Sequence, residues 1–113
     1  MRESNIEAVE GYLGAIRSKD LSVAPVAPDI FFTDPLVGEM TGEDAWRGFL
    51  SQLLPAINGV RVKQHVAEGD RVATLWEAET VWGVIPVLEL FRVEGGRIKE
   101  ARAFLDPRPI QNA

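Results

Sequence analysis

The sequence predicts one α+β domain, with three helical segments first and a curved, mostly antiparallel sheet after them. Three observations predict it. Apolar residues recur at helical spacing in the first half of the chain, the period changes from 3.6 to 2 after Gly59, and glycine-bearing turns then separate four alternating runs. Helices followed by an antiparallel meander form a sheet with its helices packed on one face. At 113 residues the chain fits a single domain, 1–113, large enough to bury one core without disulfides.

The first helix follows from Ile6, Val9, Leu13 and Ile16, with Tyr12 on the same stripe. Ser4, with Glu7 three residues on, reads as its capping box. Leu21 to Ala27 contains Pro25 and is followed by Pro28, so a turn of helix at most is expected there. Ile30-Phe31-Phe32-Thr33 reads as a short strand ending at Asp34-Pro35, and a residue before proline is pushed to extended geometry. Thr41-Gly-Glu-Asp44 reads as a second capping signature. The stripe Ala45, Trp46, Phe49, Leu50, Leu53 and Leu54 then continues as helix until Pro55. Strands are expected at 60–68, 71–82, 85–94 and 97–105, with turns at Gly69-Asp70, Gly83 and Gly95-Gly96. The tail after Pro107 reads as loose.

Charge and composition exclude several classes of function. Net charge is −5 with no Lys/Arg cluster, which speaks against nucleic acid, whose binding rests on phosphate neutralisation. His65 is the one histidine and has no second ligand at metal spacing, so no metal is expected. No glycine-rich phosphate loop occurs, and no cofactor is expected. The chain has no cysteine, the segment Met1 to Glu10 lacks a signal-peptide core, and no apolar run approaches the ~18 residues of a membrane span. These features predict a cytoplasmic protein that does not enter membranes.

Two features of the run Ile85 to Val93 break the pattern of a one-sided sheet. Leu88 and Leu90 make its second face apolar as well, which predicts that this face is covered by a second copy in a homodimer. Glu89 shares a face with Ile85, Val87, Phe91 and Val93. Either it is buried, which disfavours its ionised form, or it is paired with an arginine such as Arg102. Trp76, Ala78, Thr80 and Trp82 alternate along one strand face; with Ala101 and Ala103 they form either a pocket wall or ordinary core.

The run Ala8-Val-Glu-Gly-Tyr12-Leu-Gly-Ala-Ile16, then Phe32-Thr-Asp34-Pro35, then Glu89-Leu-Phe91-Arg92, resembles the ketosteroid isomerases. These belong to the NTF2-like superfamily of cone-shaped folds, together with SnoaL-like polyketide cyclases and limonene epoxide hydrolases. The resemblance implies a small apolar ligand, steroid- or polyketide-like, and proton transfer next to a carbonyl. It puts Tyr12 at the oxyanion-hole tyrosine, Asp34 at the general base, and Glu89 at a carboxyl group kept protonated as second oxyanion donor. That last group is the known example of a carboxylic acid held neutral by an apolar site. Trp46, Leu50, Trp76, Trp82, Phe91, Ala101, Ala103 and Leu105 are the expected ligand-binding wall.

The chain departs from those enzymes in three ways. Glu89 is one methylene longer than an aspartate, Val26 and Leu50 stand where supporting tyrosines occur, and the turn at 82–85 is short. Tyr12 is open to reading as a packing residue, and Asp34 as a turn opener. Two further functions stand beside the isomerase type. One is a non-catalytic ligand-binding or dimerisation module. The other is an epoxide hydrolase of the limonene type, suggested by Val93-Glu-Gly-Gly-Arg97-Ile98 and Ala103-Phe-Leu-Asp106. For that activity Ala103 stands where an aspartate is needed, and Glu77 and Glu79 fall on the face opposite the tryptophans.

Overall fold

A computed structural model describes residues 2–112. Helix α1 (Arg2–Ser18) leads through a 3₁₀ turn (Leu21–Val23) into strand β1 (Val26–Asp34) and a short strand β2 (Gly38–Thr41). Helix α2 (Glu43–Leu53) and a second 3₁₀ turn (Leu54–Ala56) precede the meander: β3 (Ile57–Glu68), β4 (Arg71–Thr80), β5 (Gly83–Glu94) and β6 (Arg97–Phe104). A single helical turn, α3 (Arg108–Gln111), closes the chain. The six strands form one sheet in the order β2-β1-β6-β5-β4-β3. Every neighbouring pair is antiparallel except β1 with β6, which the crossover through α2 and the meander makes parallel. Irregularities in β3, at Ile57/Gly59 and Val62/Gln64, and in β6, where Lys99 is the extra residue opposite Arg92/Val93, sit where a bulge bends its strand and raises its twist. The sheet curls around α1 and α2.

The core lies in the concave side. Val9, Tyr12, Leu13 and Ile16 of α1 and Trp46 and Leu50 of α2 pack against the inner positions of the sheet. Period two holds along β5: Ile85, Val87, Glu89, Phe91 and Val93 are buried, while Val84, Pro86 and Leu88 between them are exposed. No helix among the described residues is long and apolar enough to cross a membrane.

Several local expectations are corrected. Helix α1 begins at Arg2, so Ser4 lies inside its first turn and is not the cap. Thr41 ends β2 and does not cap α2. The N-cap is Gly42, at φ 103°, with no side-chain cap bond, and its carbonyl receives the Trp46 amide. A β-carbon at that φ is strained, which is why glycine holds the position. Strand β1 starts at Val26 rather than Ile30, β2 was not anticipated, and β3 starts at Ile57. β4 ends at Thr80, which leaves Trp82 in the turn, where its backbone N–H donates to Thr80 Oγ1. The tail is not loose: Asp106 receives both the backbone N–H and the guanidinium of Arg108, and Gln111 closes a helical turn on Pro107.

Candidate functional site

Tyr12, Asp34 and Glu89 come from α1, the end of β1 and the middle of β5, and all three line one cavity at the open end of the cone. The cavity encloses about 750 Å³ of non-atom space, its mouth included. Its walls are mostly apolar. Trp46, Leu50, Trp76, Trp82, Ala101, Ala103 and Leu105 line it, joined by Phe32, Phe49, Leu36 and Ile110. The Phe32 and Phe49 rings stack at 6.0 Å. Phe91 does not line it. It is fully buried behind the site, one sheet row deeper, and meets the Tyr12 ring edge-on at 5.1 Å.

Glu89 is 5% exposed, and among the described residues no cationic side chain pairs with it. The alternative pairing with Arg102 is overturned: that guanidinium bonds Glu100 and lies 5.0 Å over the Phe31 ring. Glu89 instead accepts the Trp76 indole N–H on Oε1, at 3.1 Å. Burial disfavours its carboxylate and pushes its pKa up to about 8, the Trp76 bond working against that and the charge of Asp34 adding to it. Burial thus favours the protonated form of Glu89 around neutral pH.

Tyr12 accepts the Trp46 indole N–H on its hydroxyl oxygen, at 2.9 Å, and the two rings are tilted together at 5.6 Å. Burial holds its pKa well above the usual phenol value, and the nearby Glu89 charge pushes the same way. Asp34 is part-buried. One of its oxygens, Oδ1, accepts the Leu36 backbone N–H at 2.8 Å across the Pro35 turn. Asp34 is thus a turn opener and a cavity-lining group at once. Burial raises its pKa and the Leu36 bond lowers it, with burial the larger effect.

The remaining polar candidates lie elsewhere. His65 bridges Thr74 Oγ1, at 2.8 Å, and Glu10, at 3.1 Å. Glu77 and Glu79 both pair with Arg61, away from the cavity. With Ala103 in the wall, no Asp-Arg-Asp set for water activation is assembled among the described lining residues. The arrangement places two buried acids, Tyr12 and Glu89, and the part-buried Asp34 carboxyl in mostly apolar surroundings.

Comparison with known proteins agrees with the fold. The sequence of residues 9–101 matches the SnoaL-like domain. The chain belongs to the SnoaL-like family, within the NTF2-like superfamily. A comparison with curated proteins finds no match. Among solved structures, this SnoaL-like chain is similar to a protein from Kribbella flavida (26% identity, 94% of this chain and 89% of that one, TM-score 0.87). It is also similar to a candidate SnoaL-like polyketide cyclase from Jannaschia (18%, 99% and 92%, TM-score 0.83). An LEH-like epoxide hydrolase from M. tuberculosis shares the fold too (20%, 98% and 89%, TM-score 0.78).

Proposed function

We propose that this SnoaL-like protein binds a small apolar ketone and moves a proton on the carbon next to its carbonyl, as an isomerase or cyclase of the ketosteroid isomerase type. The observation that carries the reading is the company of Asp34. An ionisable carboxylate shares one apolar cavity with two buried acids, Tyr12 and Glu89, that stay protonated at neutral pH. Asp34, through the oxygen not bonded to Leu36, takes the proton from the α-carbon as base. The electron pair left behind moves onto the carbonyl oxygen, where the Tyr12 and Glu89 hydroxyls donate to the developing charge. The protonated Asp34 then returns its proton to the same carbon or to another carbon of the conjugated system. Apolar walls exclude water, which strengthens both hydrogen bonds.

The test is deuterium exchange from solvent into the α-position of 1-indanone, together with isomerisation of a β,γ-unsaturated cyclic ketone. Asp34→Asn keeps the shape and removes the base. The expected result is retained binding with exchange lowered by about 10²–10⁴-fold. A wild-type protein that binds such ketones and exchanges nothing is a binding module, and overturns the catalytic reading.

We also propose a homodimer through the convex face of the sheet. Leu75, Leu88 and Phe104 are cross-strand neighbours there, and each is at least 43% exposed. A row of large apolar side chains across three strands marks an interaction surface.

A further inference from the structure

Both acids of the site receive a hydrogen bond from an indole. Trp46 Nε1 donates to Tyr12 Oη at 2.9 Å, and Trp76 Nε1 donates to Glu89 Oε1 at 3.1 Å, both in buried surroundings. An indole N–H is a donor and nothing else. A tyrosine or serine in the same place is able to turn its hydroxyl round and accept, but a tryptophan cannot. The Tyr12 oxygen therefore accepts from Trp46 and keeps its own proton for another partner. In Glu89 the oxygen facing Trp76 is held as the carbonyl-like acceptor, since a carboxylic hydroxyl is the poorer acceptor, and the proton stays on Oε2. Among the described residues neither the Tyr12 hydroxyl proton nor Glu89 Oε2 meets a protein acceptor or donor, while both residues line the cavity. No sealed side-chain nitrogen or oxygen among those residues lacks a partner, so the unbonded Oε2 opens onto the cavity space.

We propose that Trp46 and Trp76 are positioning residues that hold Tyr12 and Glu89 as donors toward the cavity, so that the site selects a ligand oxygen able only to accept, such as a ketone carbonyl, over a ligand presenting an N–H at that point. This deepens the proposed function: it rests on a ligand atom sitting between Tyr12 and Glu89 and is independent of turnover. Selection comes from both sides. A carbonyl gains two hydrogen bonds, and an N–H there meets two donors it cannot pair with.

Three bicyclic probes of similar size separate the cases: 1-indanone offers an acceptor, indole an N–H donor, and indene neither. Binding is measured by NMR titration at pH 6, where Glu89 is protonated. In a second protein all tryptophans are replaced biosynthetically by β-(3-benzothienyl)alanine, which keeps the ring shape and removes each N–H. Trp82→Phe, in both proteins, removes the third indole from the comparison. The natural protein is expected to prefer 1-indanone over indole by more than about tenfold, the scale of two net hydrogen bonds. The substituted protein is expected to hold indene equally well, with the preference falling below about threefold. Trp76→Phe and Trp46→Phe singly should each remove part of it. A purely packing role for the indoles changes all three affinities together and leaves the ratio, which overturns the proposal, as does a natural protein without preference. Binding of none of the probes overturns both this and the proposed function. Absent deuterium exchange into 1-indanone, with the preference intact, overturns only the catalytic reading.

Discussion

Asp34 and Glu89 look into one cavity, and the charge of Asp34 raises the pKa of Glu89. The proposed chemistry needs them in opposite states, Asp34 ionised and Glu89 protonated. Activity should therefore rise with pH through the raised pKa of Asp34 and fall as pH passes about 8, where Glu89 ionises. Glu89→Gln remains a donor that cannot ionise, so it should erase the alkaline fall in a pH–rate profile. Asp34→Asn should lower the Glu89 pKa, read by carboxyl NMR, because the repelling charge is gone. An unchanged alkaline limb in Glu89→Gln assigns that limb to another group.

Burying Glu89 also carries a cost that depends on pH. Its pKa is 4.5 as the ordinary value and about 8 in the folded chain. Between those two values the folded state binds more protons than the unfolded one, so stability falls as pH rises. At pH 7 the loss is on the order of 3 kcal/mol relative to pH 4, with each pKa unit worth about 1.4 kcal/mol. Glu89→Gln retains the acceptor for Trp76 and has no such loss. It should unfold at higher temperature than wild type at pH 7 to 9, with the difference closing below pH about 4.5. Parallel melting curves at all pH values contradict the buried neutral acid.

The tyrosine is tied to the fold as well as to the site. Tyr12→Phe leaves the Trp46 N–H buried without an acceptor, which costs about 1–3 kcal/mol. In a Trp46→Phe background the same change should cost less, because no donor remains to be orphaned. Denaturant unfolding of the four proteins in this cycle measures the difference. The same substitution should lower ketone exchange by about 10²–10³-fold through the lost oxyanion donor. Equal stability costs in both backgrounds would remove the Trp46–Tyr12 bond from the account.

Glu89 was legible because parity exposed it: one carboxylate among four apolar residues on a strand face has to be buried or paired. The fold was legible for a related reason, since the change of period after Gly59 separates the helical part from the meander. β2 was not legible. Its four residues, Gly38–Thr41, carry no alternation and become a strand only by pairing with β1. Parity also gives the face of a residue and not its depth, which is why Phe91 was expected in the cavity wall and lies behind it. The two indole partners escaped sequence reading altogether. Trp46 is 34 residues from Tyr12, and the two meet only after α2 packs. Trp76 reaches Glu89 diagonally through a register set by the Val81-Trp82 turn, and extending β4 to residue 82 hides that register.

The convex face supplies the last test. Leu88 is 48% exposed and Phe104 56%, on the side of the sheet away from the cavity. Leu88 pairs with Leu75 on one side and Phe104 on the other, so a lysine at this position puts a charge in the centre of the row. If two copies meet here, burying that ammonium without a partner costs several kcal/mol and dissociates them. If the chain is a monomer, the same change at a half-exposed site should alter stability by no more than about 0.5 kcal/mol. Leu88→Lys is therefore expected to shift sedimentation from dimer to monomer at micromolar concentration and to make the melting temperature independent of protein concentration. The cavity opens on the other side of the sheet, so binding of 1-indanone should survive in the monomeric variant. Wild type sedimenting as a monomer overturns the dimer, and a Leu88→Lys dimer as tight as wild type moves the interface off this face.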